Sequence, residues 1–270
     1  MSEINEFYDR EYNTTVSVPD EMDYINRWIE GSALARSRIP AHLDLAYGTG
    51  QNETLDLFPA QDSEMLHVHI HGGFWRGSDK ADASWIAPPF VEADVSVAIL
   101  NYALCPSVTL ATIVEQCRRA VAWLYHHAAE YGVKAEQMIL SGHSAGGHLV
   151  AMLFATDWAA HGMPGQAIVR GIALSGVFDL EPIRLTSINK DVQLDAGAVE
   201  TLSPIGLQPQ IDAPLLIAVG ALESSEFRRQ SQLICDVWGS ACVGPLFLEG
   251  CHHFNIVDAL VEMDSPLWSV

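Results

Sequence analysis

The sequence predicts an α/β fold, a three-layer sandwich in which helices cover both faces of a mostly parallel central sheet. Short apolar runs alternate with helical patterns along most of the chain, and each alternation implies a crossover between parallel strands. No internal repeat, low-complexity tract or long Gly/Ser/Pro linker divides the 270 residues, so 1–270 reads as one domain. Apolar residues make up 49% and charged residues 18%, the composition of a chain that builds a sizeable core.

Taken in order, Met22, Ile25, Trp28, Ile29 and Leu34 recur at helical spacing over 20–38, with Asp20 placed to cap after Pro19. The segment 1–40 is expected to pack as helix over the domain. Leu43–Tyr47 and Thr54–Phe58 read as an edge hairpin, and Met65–His71 and Val95–Asn101 as further strands. Thr112–Tyr131 is a predicted helix. Met138–Ser141 is a short buried strand running through a Gly-rich turn into a helix over His148–Thr156. Ile168–Leu174, Leu215–Val219 and Pro245–Leu248 complete the strands, and Ile256–Met263 is the last helix. Residues 181–210 show no long helix pair and are expected to form a short lid over a small pocket. In such sheets, polar groups at the C-terminal ends of strands are where chemistry collects.

The 34 Asp+Glu against 14 Lys+Arg give a net charge of −20. That surface repels phosphate backbones and anionic headgroups, so nucleic acid and membranes are excluded as partners. A small-molecule substrate remains, and self-association as a homodimer is compatible with the composition. Met1–Arg10 carries no basic stretch leading into an apolar run, and no segment reaches the roughly 18 apolar residues of a span. Cys105, Cys117, Cys235, Cys242 and Cys251 are odd in number and form no C-x-x-C pair. Reduced thiols and a cytoplasmic location are expected.

The strongest motif is Gly142-His143-Ser144-Ala145-Gly146 between a strand and a helix. This is the G-x-S-x-G nucleophile elbow, whose turn is too tight for β-carbons on either side of the serine. A plain Gly-rich turn is the bland alternative, and the flanking strand and helix argue against it. About 70 residues earlier, His71-Gly72-Gly73-Phe74-Trp75 follows a strand. There, Gly72 and Gly73 are expected to donate N–H groups to an oxyanion together with Ala145. His67, His69 and His71 alternate on one strand face, and H-x-H also ligates metals. A metal-dependent amidohydrolase is therefore the rival, weakened by the lack of clustered carboxylate partners. The preferred reading needs neither metal nor cofactor.

A serine nucleophile needs a base, and the base needs an acid behind it. Only Cys251-His252-His253-Phe254 follows the last strand, so His253 is the candidate base and His252 the second choice. Glu223, in the loop after Leu215–Val219, is the candidate acid, with Glu226 and Asp179 as alternatives. Phe74, Trp75, Tyr102 and Phe178 fall in loops at the expected mouth and are the candidate apolar wall for the substrate.

With these residues in hand, the chain resembles the kynurenine formamidase (arylformamidase) branch of the α/β-hydrolases, of the esterase/lipase H-G-G-x-W type. The likeness spans nearly all of it. It includes Ser175-Gly176-Val177-Phe178-Asp179-Leu180-Glu181-Pro182, Glu223-Ser224-Ser225-Glu226-Phe227-Arg228-Arg229-Gln230-Ser231 and His253-Phe254. The resemblance implies an α/β-hydrolase fold and a Ser144–Glu223–His253 triad. It further implies hydrolysis of a formyl amide such as N-formyl-L-kynurenine, a step of tryptophan catabolism, through a formyl-serine. Glu223 departs from the family's usual Asp. A general short-chain carboxylesterase, and a non-catalytic small-ligand-binding protein on the same fold, are the alternatives.

Overall fold

A computed structural model of the chain describes residues 4–268; Met1–Glu3 of the expected N-terminal segment and the last two residues lie outside them. Eight strands form one sheet: β1 (His42–Ala46), β2 (Thr54–Phe58), β3 (Leu66–Ile70), β4 (Ser96–Leu100), β5 (Met138–His143), β6 (Ile168–Leu174), β7 (Leu215–Gly220) and β8 (Cys242–Leu248). Their order is β1-β2-β4-β3-β5-β6-β7-β8. β2 runs antiparallel to both neighbours, and every other pairing is parallel.

The strand pattern dictates two cores. Leu66, Val68 and Ile70 of β3, Met138 and Leu140 of β5, and Leu215, Ile217 and Val219 of β7 face one apolar cluster. Val97, Ile99, Ile139, Ile172, Leu216 and Ala218 face the other, as the two-residue period of a strand requires. Helices cover both. In chain order they are α1 (Glu6–Glu11), α2 (Thr14–Ser17), α3 (Glu21–Arg38), α4 (Ala87–Glu92), α5 (Leu110–His127), α6 (Ala145–Phe154), α7 (Glu181–Arg184), α8 (Asn189–Val192), α9 (Ala196–Leu202), α10 (Ser225–Trp238) and α11 (Asp258–Val261). α5, α6 and α10 bury their apolar stripes in the first cluster, and α4 and α11 theirs in the second. None of the helices among the described residues is long and apolar enough to cross a membrane.

Most boundaries fall within two residues of those expected, and the departures have local causes. The helix after the Gly-rich turn starts at Ala145, three residues before His148, because Gly146 and Gly147 can pack as its first turn where larger residues would collide. β8 starts at Cys242 and runs through Pro245, which an edge strand tolerates because one side of its backbone has no partner. α10 begins inside the stretch read as a polar loop, with Ser224 accepting from the Phe227 amide at 3.5 Å. Residues 181–210 hold three short helices and a 3₁₀ turn at Pro204–Gly206; α9 packs against α5, and the turn against α6 and α10.

The order of the sheet places the site. β3 lies between β4 and β5, so the chain leaves it in one direction and returns on the other side. Ile70 at the end of β3 pairs with Gly142 of β5, which brings the H-G-G loop beside the elbow. Neighbouring strand ends at such a reversal form the crevice in which ligands bind in open α/β sheets.

The β1–β2 hairpin is fastened to the segment after this loop by Lys80. Its buried ammonium donates to Asp56 at 2.6 Å and to the exposed Asp44 at 2.7 Å. Asp56 is fully buried, and its other carboxylate oxygen has no partner among the described residues. Removing the cation leaves that charge uncompensated, so Lys80→Met is expected to cost about 3–5 kcal/mol. Urea unfolding measures it, and a loss below roughly 1 kcal/mol, the range of an exposed pair, would show the pair to be dispensable.

Candidate active site

Ser144 sits at the apex of the turn between β5 and α6 with φ 56° and ψ −116°, a conformation that costs a non-glycine residue of order 1–3 kcal/mol. The surrounding contacts enforce it. Ser144 N–H donates to the Leu174 carbonyl at 2.8 Å, and a β-carbon on Gly142 or Gly146 would collide with the Gly146 or Ile70 carbonyl respectively. Ser144 is only 2% exposed. Its hydroxyl lines a cavity of about 220 Å³ and has no hydrogen-bond partner among the described residues. Ala145, as the first residue of α6, has an amide with no intrahelical acceptor.

The H-G-G loop lies against this turn. A β-carbon on Gly72 would stand 3.2 Å from Ser144 Cβ and 2.9 Å from the His143 carbonyl oxygen. Tyr102 is fully buried, stacks on His71 with centroids 4.2 Å apart, and donates its hydroxyl to the carbonyls of His71 (2.9 Å) and Gly72 (3.1 Å). Because a trans peptide points its N–H opposite to its C=O, the amides of Gly72 and Gly73 face away from Tyr102. Gly73, Phe74 and Trp75 then take φ of 97°, 46° and 56° in succession. The Trp75 indole is driven into the core beside His148, at 5.0 Å and 83°.

His253 and Glu223 are both 4% exposed. His253 Nδ1 and Glu223 Oε2 are hydrogen-bonded at 2.8 Å. The other carboxylate oxygen accepts from Ser175 Oγ at 2.5 Å and from the Gly220 amide at 2.7 Å. His253 lines the same cavity as Ser144, although the two are not hydrogen-bonded to each other. Its backbone carbonyl is bonded to His143 Nε2 at 2.7 Å. Glu226 lies elsewhere: it accepts from Tyr12 at 2.9 Å and forms a two-pronged ion pair with Arg229 at 2.8 Å. Asp179 meets Arg229, and His252 pairs with the Tyr24 hydroxyl at 3.2 Å.

The alternating histidines are engaged with neighbours. His67 Nε2 and His69 Nδ1 share the Ser141 hydroxyl at 2.6 and 2.8 Å, and His71 Nε2 meets Asn101 Oδ1 at 3.2 Å. Among the described residues there is no group of three or more His, Cys, Asp or Glu arranged to hold a metal ion.

The apolar wall differs from the expected one. Of Phe74, Trp75, Tyr102 and Phe178, only Phe74 lines the cavity. Trp75 anchors the loop in the core, Tyr102 braces it from behind, and Phe178 fills the space over Gly176 in the core. Each is turned inward by a partner that loop placement cannot reveal. The wall consists instead of Ile25 and Trp28 from α3 with Trp85, Ile86, Phe254 and Val257. Trp28 and Trp85 lie parallel, with centroids 6.1 Å apart and planes 6° apart. The cover over the cavity is thus the N-terminal segment, through Thr14, Glu21, Ile25 and Trp28, and none of its described lining comes from the lid expected at 181–210. Trp28 belonged to a visible helical pattern, but nothing in that pattern says what its apolar side covers.

Comparison with known proteins agrees with this architecture. Residues 55–167 match the family model described as BD-FAE. The chain is 31% identical over 252 residues to the kynurenine formamidase of Salmo salar, covering 88% of this chain and 83% of that one. It is 29% identical to the Danio rerio kynurenine formamidase, over 86% and 81% of the two chains. Among solved structures, a Silicibacter protein provisionally described as a thioesterase superposes with a TM-score of 0.85 at 31% identity, over 97% of both chains. Esterase B of Lactobacillus rhamnosis shares the fold, with a TM-score of 0.68 at 18% identity over 93% and 92%.

The histidines packed around the site also limit the fold in acid. Burial pushes His67 down to about 3 and His148 down to about 4. It also lowers His69, His71 and His143, the last further disfavoured by His253 beside it. The unfolded chain binds these protons near pH 6.5 while the folded chain does not, so stability falls as pH drops from 6.5 towards the folded values. Each group contributes up to about 1.4 kcal/mol per pH unit. A marked fall in Tm between pH 7 and pH 5 is expected, before carboxylates titrate, and a flat Tm across that window would contradict it.

Proposed function

Because the chain belongs to the kynurenine formamidase family of α/β-hydrolases, we propose that it is a metal-independent serine hydrolase of a small aryl formamide, N-formyl-L-kynurenine being the representative substrate. The observation that carries the reading is one cavity lined by a strained, unpartnered Ser144 hydroxyl and by an imidazole whose Nδ1 is bonded to the buried Glu223. That bond leaves Nε2 as the basic nitrogen. His253 takes the Ser144 proton as Oγ attacks the formyl carbon, a contact made once substrate is engaged. The amides of Gly72, Gly73 and Ala145 receive the oxyanion. His253 then protonates the departing aniline nitrogen, and water activated by the same imidazole releases formate from the formyl-serine. Ser175 and the Gly220 amide keep the Glu223 carboxylate in place, so a side chain one methylene longer than Asp still reaches Nδ1. Five free thiols fit a cytoplasmic enzyme.

A short-chain carboxylesterase is the second reading; the structure that superposes over 97% of this chain is described as a thioesterase, a hydrolase of the related thioester bond. The ratio of kcat/KM for N-formylkynurenine to that for p-nitrophenyl acetate decides between them.

Ser144→Ala is expected to lower kcat on either substrate by about 10⁴-fold or more, with loss of fluorophosphonate labelling; retained activity would sink the scheme. Glu223→Gln is expected to lower kcat by roughly 10²–10⁴-fold. Glu226→Gln breaks the Tyr12–Arg229 cluster instead, lowering Tm while leaving kcat close to wild type. Equal losses of kcat in the two variants would contradict the assignment of the acid.

A further inference from the structure

The alternating histidines of β3 do more than fill space. The Ser141 hydroxyl lies between His67 Nε2 at 2.6 Å and His69 Nδ1 at 2.8 Å. His67 Nδ1 is sealed from solvent and has no partner among the described residues. A bare ring nitrogen is tolerated there better than an orphaned N–H, so His67 carries its proton on Nε2 and donates it to Ser141 Oγ. His148 follows the same rule: its Nε2 donates to the Leu202 carbonyl at 2.8 Å, and its sealed Nδ1 is the bare nitrogen. The Ser141 hydrogen then has one acceptor left, His69 Nδ1, which places the His69 proton on Nε2. Burial keeps both rings neutral.

His143 has the opposite polarity. A carbonyl only accepts, so Nε2 donates to the His253 carbonyl and Nδ1 of the neutral, buried ring is bare. His69 and His143 are both more than nine-tenths buried, and both line the cavity. Neither His69 Nε2 nor His143 Nδ1 has a partner among the described residues, and neither is sealed off. A β-carbon on Gly72 would stand 3.3 Å from His143 Nδ1, so that nitrogen faces the oxyanion loop. The register sets the pair side by side: His69 is level with Ser141, and His143 stands two residues further along β5 on the same face. The His143 and His253 ring centroids are 4.7 Å apart, so a leaving nitrogen that His253 can protonate is also within reach of His143.

We propose that His143 and His69 determine specificity as a neutral acceptor–donor pair. His143 Nδ1 accepts the N–H of the scissile formamide, and His69 Nε2 donates to a carbonyl oxygen beside it, as on the ortho substituent of an aryl formamide. This rests on the hydrolase reading and deepens it. The bond to His143 turns the lone pair of the leaving nitrogen toward His253. An ester has no such hydrogen and sets oxygen lone pairs against the bare nitrogen. A buried group left unpaired in this way counts against the substrate that fails to pair it.

Three compounds separate the two bonds: 2-acetylformanilide, formanilide (no ortho carbonyl) and phenyl formate (no N–H). In His143→Leu, kcat/KM for formanilide is expected to fall about tenfold further than that for phenyl formate. A merely structural role, through the released His253 carbonyl, would lower both equally. In His69→Leu, and in Ser141→Ala, which never touches substrate, the preference for 2-acetylformanilide over formanilide is expected to shrink several-fold, mainly through KM. Ring-nitrogen NMR of histidine-labelled Ser144→Ala protein reads the pair without turnover and without altering it. His143 Nδ1 is expected to be bare and His69 Nε2 protonated, and both signals to move when 2-acetylformanilide binds. Equal losses on amide and ester, an unchanged ortho preference or the reverse protonation overturns the proposal. Absent turnover of all three compounds would instead overturn the hydrolase reading, and the spectra would still decide whether the pair exists and binds.

Discussion

The close approach between the turn carrying Ser144 and the end of β3 sets the position of every other group in the site. Backbone packs on backbone here: Gly146 against the Ile70 carbonyl, Gly147 against Gly176, and Gly72 against His143 and Ser144. No side chain fits between them. The serine is consequently held in a conformation it would not choose, and it lines the same cavity as Gly72 and Gly73. Strain of this kind persists only where the surroundings over-determine it. The hydrogen bond from Ser144 N–H to Leu174 and the pairing of Ile70 with Gly142 are those surroundings.

Around that contact, buried polar groups act as braces. Tyr102 turns two carbonyls backward and so turns two amides forward. His143 holds the backbone of His253 while Glu223 holds its ring, and Ser175 with Gly220 holds Glu223. Each link exchanges a hydrogen bond to water for one inside the protein, worth little net when made and much when broken. The low proton affinity of His67, His69, His71, His143 and His148 follows from the same burial, which ties the rigidity of the site to the acid sensitivity of the fold.

The net charge acquires a local meaning once the cavity is seen. As a whole-chain figure, −20 excludes polyanions and says little about a substrate. Glu21 comes from a helix some fifty residues ahead of the H-G-G loop, and Asp79 and Asp82 from the turn just after it. Only folding brings them to one cavity, whose described lining holds no lysine or arginine.

Motifs that depend on backbone geometry could be read directly from residue order. Gly142, Gly146, Gly72 and Gly73 meet close backbone approach here, so the elbow, the loop, the parallel sheet and the candidates Ser144 and His253 all follow from local pattern and chain order. Which carboxylate backs the imidazole was open between Glu223 and Glu226. It depends on which one the turn after β7 aims inward and which the Arg229 guanidinium captures. The wall of the cavity was beyond reach for the same reason: Trp75, Tyr102 and Phe178 are as apolar as Trp28 and Trp85, and identity alone does not say which way a ring turns. Local chemistry settles what a residue can do, while the direction of a side chain is settled by neighbours distant in sequence. The sequence alone determined the fold class and the chemically special positions; tertiary packing decided the cover, the wall and the charge of the cavity.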